Sequence, residues 1–395
     1  MKGTQRIGWW FIMVVFLISG PGLSTTSRAA DWWENVKIKG DFRYRHEIIN
    51  QENKDIRHRH RIRTRVNIEG KVYDQGKIVL GISSGSSDPV SNNQTLGDAF
   101  SSKDLLIDVA YFELSPKFAP GLEVLGGKIY NPFFLPGESE LIWDSDIRPE
   151  GLTFGYHREF DNFAISLTAS GLWIMERSGG DDSYLAGGQT VLKYQLNEDK
   201  FDIALGGSYF SYGNVKNYSL LYEDDNPFGN SEYSTEDTTI TKVAYTPTDT
   251  AVDVTITEHH FYMYDYELLE LFAEASHKFN EIPVTVMGDY VTNTAIDSLK
   301  NGWLVGIRIG KTKKPGSWDF RYIYREVEKD AVFGLYTDSD FRGGGTNARG
   351  HEIGADYQLM NNTTFAVTYF NNQIDLQAGD KTNFQRWQFD LKFKF

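Results

Sequence analysis

The sequence predicts an all-β fold, a transmembrane antiparallel β-barrel, and three observations predict it. From Ile56 to Val72 the charges fall on every second residue. Arg57, Arg59, Arg61, Arg63 and Arg65 therefore share one face of a strand and Ile62, Val66, Ile68 and Val72 the other; on a helix a two-residue step turns about 200° and would scatter them. The chain also ends on an alternating aromatic strand, RWQFDLKFKF, closing at Phe395. Finally, the composition is polar on average yet 14% aromatic, and its one long apolar run, Trp9 to Ile18, is too short to span a bilayer as a helix. An arginine facing lipid near the midplane costs about 2–4 kcal/mol, so a ladder of five must face a water-filled lumen.

Charge narrows the partners. The formal net charge is −14, and removing the first 30 residues takes away Lys2, Arg6 and Arg28 but no acid, leaving −17. A basic footprint for nucleic acid is missing. Absence of cysteine means that no disulfide staples the fold. Lys2 and Arg6, an apolar core through Trp9, Phe11, Val14 and Leu17, and the small residues ending Ser27-Arg28-Ala29-Ala30 predict a signal peptide over 1–30, cleaved after Ala29 or Ala30. Residues 31–395 then form a single barrel.

The first strand is predicted over Val36 to Glu47, with Val36, Ile38, Phe42 and Tyr44 opposite Lys37, Lys39, Asp41, Arg43 and Arg45. After the polar Asn50 to Lys54 comes the arginine strand, turned back at Tyr73 to Gly76. Lys77 to Ser84 follows, then a long Ser/Asn/Gly segment to Lys103, then Leu105 to Leu114 and Leu122 to Tyr130. Asn131 to Gly151 does not alternate and holds three prolines and five acids, so it reads as a loop. Eleven more strands are predicted, at 152–159, 163–173, 184–196, 201–210, 266–279, 283–293, 302–312, 317–326, 350–360, 363–372 and 385–395. The total is sixteen. Residues 211–265, acidic and rich in Tyr, are expected as a long extracellular loop; if its extended patches near 239–245 and 252–257 entered the membrane, the count would be eighteen. Short connections alternate with long ones, as periplasmic turns alternate with extracellular loops.

Five stretches carry a family resemblance: GDFRYRHE, RHRHRIRTR, SNNQTLGDAFSSKDLLIDVAYFEL, GGKIYNPF and LIWDSDIRPEGLTF, all between residues 40 and 155. They resemble the "putative porin" family of Gram-negative bacteria. The resemblance implies an outer-membrane channel for passive diffusion of small hydrophilic solutes and ions, and likeness to general porins implies a homotrimer. The terminal Phe395 resembles the signal read by the barrel-assembly machinery, and outer-membrane lipid and lipopolysaccharide are the surrounding partners. No cofactor and no metal are expected.

The physics of a constriction can be argued beside that. Pore-lining candidates are Arg43, Arg45, Arg57, Arg59, Arg61, Arg63 and Arg65. Segment 131–150 follows the fifth strand, where general porins fold a loop into the lumen, and it supplies Glu138, Glu140, Asp144, Asp146 and Glu150. Neighbouring ladder arginines lie about 7 Å apart, which means roughly 0.6 kcal/mol of repulsion per pair in water and over 2 at an effective dielectric of 20. Opposed carboxylates would offset it and set a transverse field. The alternative is a binding or adhesion barrel with a closed lumen, acting through its acidic external loops. Enzyme signals are thin: Gly81-Ile82-Ser83-Ser84-Gly85 fits G-x-S-x-G but precedes no helix. Asp338 to Gly343 is similar to a calcium loop except for Arg342, and reads as a solvated external loop. His58 and His60 fall on the even face of the arginine strand, near an interface or a rim, and the extended pair His259-His260 points opposite ways.

Overall fold

The computed structural model describes residues 35–196, 201–246, 249–377 and 381–395; the predicted signal peptide and the turn at 197–199 lie outside them. In chain order the strands are β1 (Val36–Gln51), β2 (Arg57–Tyr73), β3 (Gly76–Ser84), the two-residue β4 (Gln94–Thr95), β5 (Leu105–Leu114), β6 (Leu122–Lys128), β7 (Glu150–Glu159), β8 (Phe163–Met175), β9 (Ser183–Leu196) and β10 (Phe201–Gly213). They continue as β11 (Glu232–Thr246), β12 (Asp249–Tyr262), β13 (Tyr266–Phe279), β14 (Ile282–Asn293), β15 (Asn301–Gly310), β16 (Trp318–Val327), β17 (Ala348–Met360), β18 (Thr363–Ile374) and β19 (Thr382–Lys394).

All but β4, β11 and β12 pair antiparallel with their barrel neighbours, and β19 pairs with β1 from Asp41↔Lys394 to Gln51↔Phe384. The sheet is a closed barrel of sixteen strands. The extended patches at 239–245 and 252–257 belong to β11 and β12, which pair with each other and, through Phe261, with Ser219, but among the described residues join no barrel strand, so the eighteen-strand option is excluded. β4 adds a short ladder beside Arg61 and Ile62. Several strands run further toward the long-loop side than the sequence suggests: β1 reaches Gln51 and β10 reaches Gly213. Pairing continues there after the apolar alternation that marks the membrane has ended.

The strand period divides every strand between two surroundings. Outward lie Ile68, Ile78, Leu80, Leu271, Val286, Val305 and Phe365, all exposed apolar side chains, as a lipid-facing band requires. Inward lie the ladder of β2 and, by cross-strand register, Asp41, Arg43, Arg45 and Glu47 of β1. At the seam the backbone of Phe395 exchanges two hydrogen bonds with Gly40, at 2.9 and 3.0 Å. A Cβ on residue 40 would collide with the Phe395 ring.

The core is inside the barrel. Phe133, Leu141, Ile142 and Trp143 from segment 129–149, Leu220 and Leu221 from segment 214–231, and Val332, Phe333 and Leu335 from segment 328–347 pack on inner-face residues including Phe210, Leu268, Val291, Leu304 and Ile323. Three of the long connections therefore fold into the lumen against the wall from β8 to β16. This corrects the reading of Asp338 to Gly343 as a solvated external loop: Asp338 and Phe341 are buried. The apolar run Ala331-Val332-Phe333, together with Leu335, gives that segment an area to bury that solvent would not accommodate.

Candidate functional site

Segment 129–149 runs round the inside of the barrel. Its base is closed by the Ile129 amide donating to the Pro149 carbonyl, 2.8 Å. Phe134 exchanges hydrogen bonds with the Gln189 side chain on β9, and the Gly137 amide donates to Glu274 on β13 at 2.6 Å. Glu138 then meets Arg308 on β15 at 2.5 Å, and the Glu140 carbonyl accepts from Arg325 on β16 at 3.1 Å. The segment next crosses to segment 328–347, where the Asp144 amide donates to the Tyr336 carbonyl and the Asp144 carboxylate accepts from the Ser339 amide, both 2.8 Å. It returns along the opposite wall. Asp146 lies 3.0 Å from Arg65 and 3.5 Å from Arg63 on β2, and Arg148 3.2 Å from Asp108 on β5.

The five candidate acids thus separate. Asp146 faces the arginine ladder. Glu138 is held by Arg308 across the lumen, and Glu150, the first residue of β7, pairs with Lys128 at 2.7 Å near the loop base. Glu140 and Asp144 meet no guanidinium through their carboxylates among the described residues; they converge with Asp338 instead. Environment sets their charge accordingly. Burial pushes the Asp146 carboxyl up, but Arg63, Arg65, Arg43 and Arg148 outweigh it and hold it at about 2. Burial also raises Glu140 and Asp144 well above the ordinary carboxylate range, and there the neighbouring carboxylates add to the effect. Asp340 is held far below that range, because Arg45 and Arg386 overcome its burial.

Most of the ladder's counter-charge comes from elsewhere. Glu47, directly across from Arg59, accepts from it at 2.6 Å and lies 3.5–3.7 Å from Arg45 and Arg61. Asp41 joins Arg63 and Arg65, each at 2.9 Å. Arg45 is bidentate on Asp390 of β19, at 2.6 and 2.8 Å, and reaches Asp340 at 3.1 Å; Arg386 reaches Asp340 at 2.7 Å. Arg43 donates to Asn93 at 2.7 Å and keeps a buried, unpartnered Nε, as does Arg61. Arg57, at the strand end, is exposed and forms no ion pair among the described residues.

Alternation alone exposes Asp41, Glu47 and Asp390 as inward residues of their strands. Asp340 carries no such signal, because it lies in an irregular segment brought in by its apolar neighbours. Between the two walls a cavity of about 350 Å³ is bounded by Asp108, Asp146 and Arg148 on one side and by Trp143, Leu172 and Tyr336 on the other. Ser83 of the G-x-S-x-G stretch accepts from Asn92 at 3.1 Å at the end of β3, with coil rather than helix after it.

Comparison with known proteins agrees with this architecture. No curated protein sequence matches. Among solved structures, Salmonella typhi OmpF in complex with daunomycin superposes with a TM-score of 0.51 at 11% identity, over 91% of this chain and 97% of that one. OmpT of Vibrio cholerae in its trimer form gives 0.49 at 11% identity over 91% and 99%, and a triple mutant of Rhodopseudomonas blastica porin 0.49 at 11% over 91% and 100%. At 11% identity the likeness to OmpF concerns the fold alone. Sequence family is the stronger tie: residues 46–395 match the family described as "Putative porin", and the chain, an outer-membrane barrel of the porin type, belongs to that family.

Proposed function

We propose that the protein is a diffusion channel for small hydrophilic solutes and ions, filtered where the arginine ladder of β1 and β2 faces the inward segment 129–149. The observation that carries this reading is Asp146, placed by that segment between Arg63 and Arg65. It sets charges of unlike sign side by side on one wall of a lumen whose far wall is apolar. Such an arrangement orients dipolar solutes and rejects apolar ones. The finer roles of Arg43, Arg45, Arg57, Arg59 and Arg61 as pore lining, export by the first 30 residues, recognition of Phe395 by the assembly machinery, contact with lipopolysaccharide and a homotrimeric state belong to the same reading. Chemical catalysis does not.

A second reading, a binding barrel with a closed lumen, is favoured by one observation: three segments pack an apolar core within the barrel. Conductance separates the two. Refolded protein in planar bilayers should show discrete steps, and Arg59→Ala/Arg61→Ala/Arg63→Ala should move the reversal potential toward cations. A correctly folded barrel that never opens a step would sink the channel and leave the binding barrel.

A further inference from the structure

We propose that Arg43 and Arg61, with Ser91 and Asn93 between them, bind a small dianionic oxyanion in the lumen and make the channel anion-selective. This deepens the channel reading and rests on it. Ion pairs among the described residues divide the charged wall into two groups. In one, Arg63 and Arg65 share Asp41 and Asp146, and the charges balance. In the other, Arg43, Arg45, Arg59, Arg61 and Arg386 share only Glu47, Asp340 and Asp390. That group carries two positive charges in excess. Register adds to the field, since Arg43 stands between Lys392 of β19 and Arg63 of β2.

Geometry places the excess on two residues. Arg45, Arg59 and Arg386 each have a carboxylate oxygen at 2.6–2.7 Å. Arg43 is 3.8 Å from Asp390 and Arg61 3.7 Å from Glu47, too far for a hydrogen bond. Each keeps a buried Nε with no partner. Their guanidinium groups turn instead to a neutral bridge: Arg43 donates to the Asn93 side-chain oxygen at 2.7 Å, the Asn93 amide donates to the Ser91 hydroxyl at 3.1 Å, and Arg61 donates to that hydroxyl at 3.3 Å. A guanidinium withdrawn from water without a counter-charge is costly. An amide and a hydroxyl supply acceptor oxygen but no charge; an oxyanion supplies both, and the guanidinium fork matches its geometry. Arg43 and Arg61 diverge from the neighbouring arginines only in lacking a close carboxylate, so an anion from the lumen completes them. Rings of such cations pass anions in preference to cations.

The test titrates sulfate and succinate into the refolded barrel in uncharged detergent at constant low ionic strength, read by calorimetry, and repeats both in planar bilayers. One saturable site per chain is expected, with a reversal potential on the anion side and block of chloride current over the same concentrations. The two probes tell an inorganic oxyanion from a dicarboxylate; binding of either supports the site, and of neither overturns it. Arg43→Gln and Arg61→Gln should each weaken binding by about 10- to 100-fold. Asn93→Asp removes no cation and sets a resident carboxylate beside Arg43, so it should weaken binding at least as much, and it decides if an arginine variant fails to refold. Affinity untouched by Asn93→Asp overturns the site. Steps without anion preference or saturable binding would sink the site and leave the channel; saturable binding by a barrel that never opens a step would leave the site and sink the channel.

Discussion

The two walls of the lumen are built by opposite rules. From β19 through β1 to β2 the wall is a lattice of guanidinium and carboxylate groups, in which Arg45 is shared among Asp390, Asp340 and Glu47. From β8 to β16 it is largely a hydrophobic core, with Trp143 stacked on Phe133 and Tyr336 and edge-on to Phe210. One segment, 129–149, visits both. The apolar wall fixes where that segment sits, since packing tolerates few alternative positions; the charged wall fixes what it presents.

The sharpest way to break the contrast is Trp143→Ala. Removing a side chain 2% exposed should cost about 3–5 kcal/mol of local stability, read as lost hydrogen-exchange protection over 129–149. If the channel reading holds, unit conductance should rise with it. Unchanged protection would mean that the charged wall holds the segment unaided.

Asp146→Asn probes the other wall and should cost on the order of 2 kcal/mol at neutral pH. The sign follows from a carboxyl held at about 2 in the fold. Its contribution is complete above the unfolded value near 4, and is lost as pH falls toward 2. The difference between wild type and variant in a urea midpoint should therefore vanish in strong acid. Asp144→Asn should act in the opposite direction. Burial and the Asp146 and Asp338 carboxylates raise Asp144, so its cost grows as pH rises above about 4; the variant should be the more stable protein at pH 7 and no different at pH 3. A common sign for the two variants would refute the division of acids along the segment. The smallest effect belongs to Arg57→Ala, within about 0.5 kcal/mol and without change in the thermal midpoint, since Arg57 sits at the exposed strand end.

These contrasts also show what the sequence could disclose. Sixteen strands were legible because a strand repeats every two residues and lipid enforces the repeat; the inward course of the loop after the fifth barrel strand was suggested only by likeness to general porins. Asp41 and Asp390 could be read by the same alternation. Asp340, Glu140 and Asp144 could not: they lie in irregular segments, where no period says which way a side chain points. The inward fold of 328–347 was foreshadowed only by Ala331-Val332-Phe333, a run that alternation cannot assign.

The seam between β1 and β19 has a consequence for how the chain is made. Arg45 and Asp390, 345 residues apart, cannot meet until nearly the whole polypeptide has been produced. Every shorter chain carries two unpaired strand edges, each able to recruit a neighbour, and contacts of such separation form slowly. The finished barrel has no edge at all. Newly made chains must therefore be kept apart until the terminal Phe395 settles against Gly40, and loss of a few terminal residues should be a defect of birth rather than of performance: an open sheet prone to clumping, not a leakier channel.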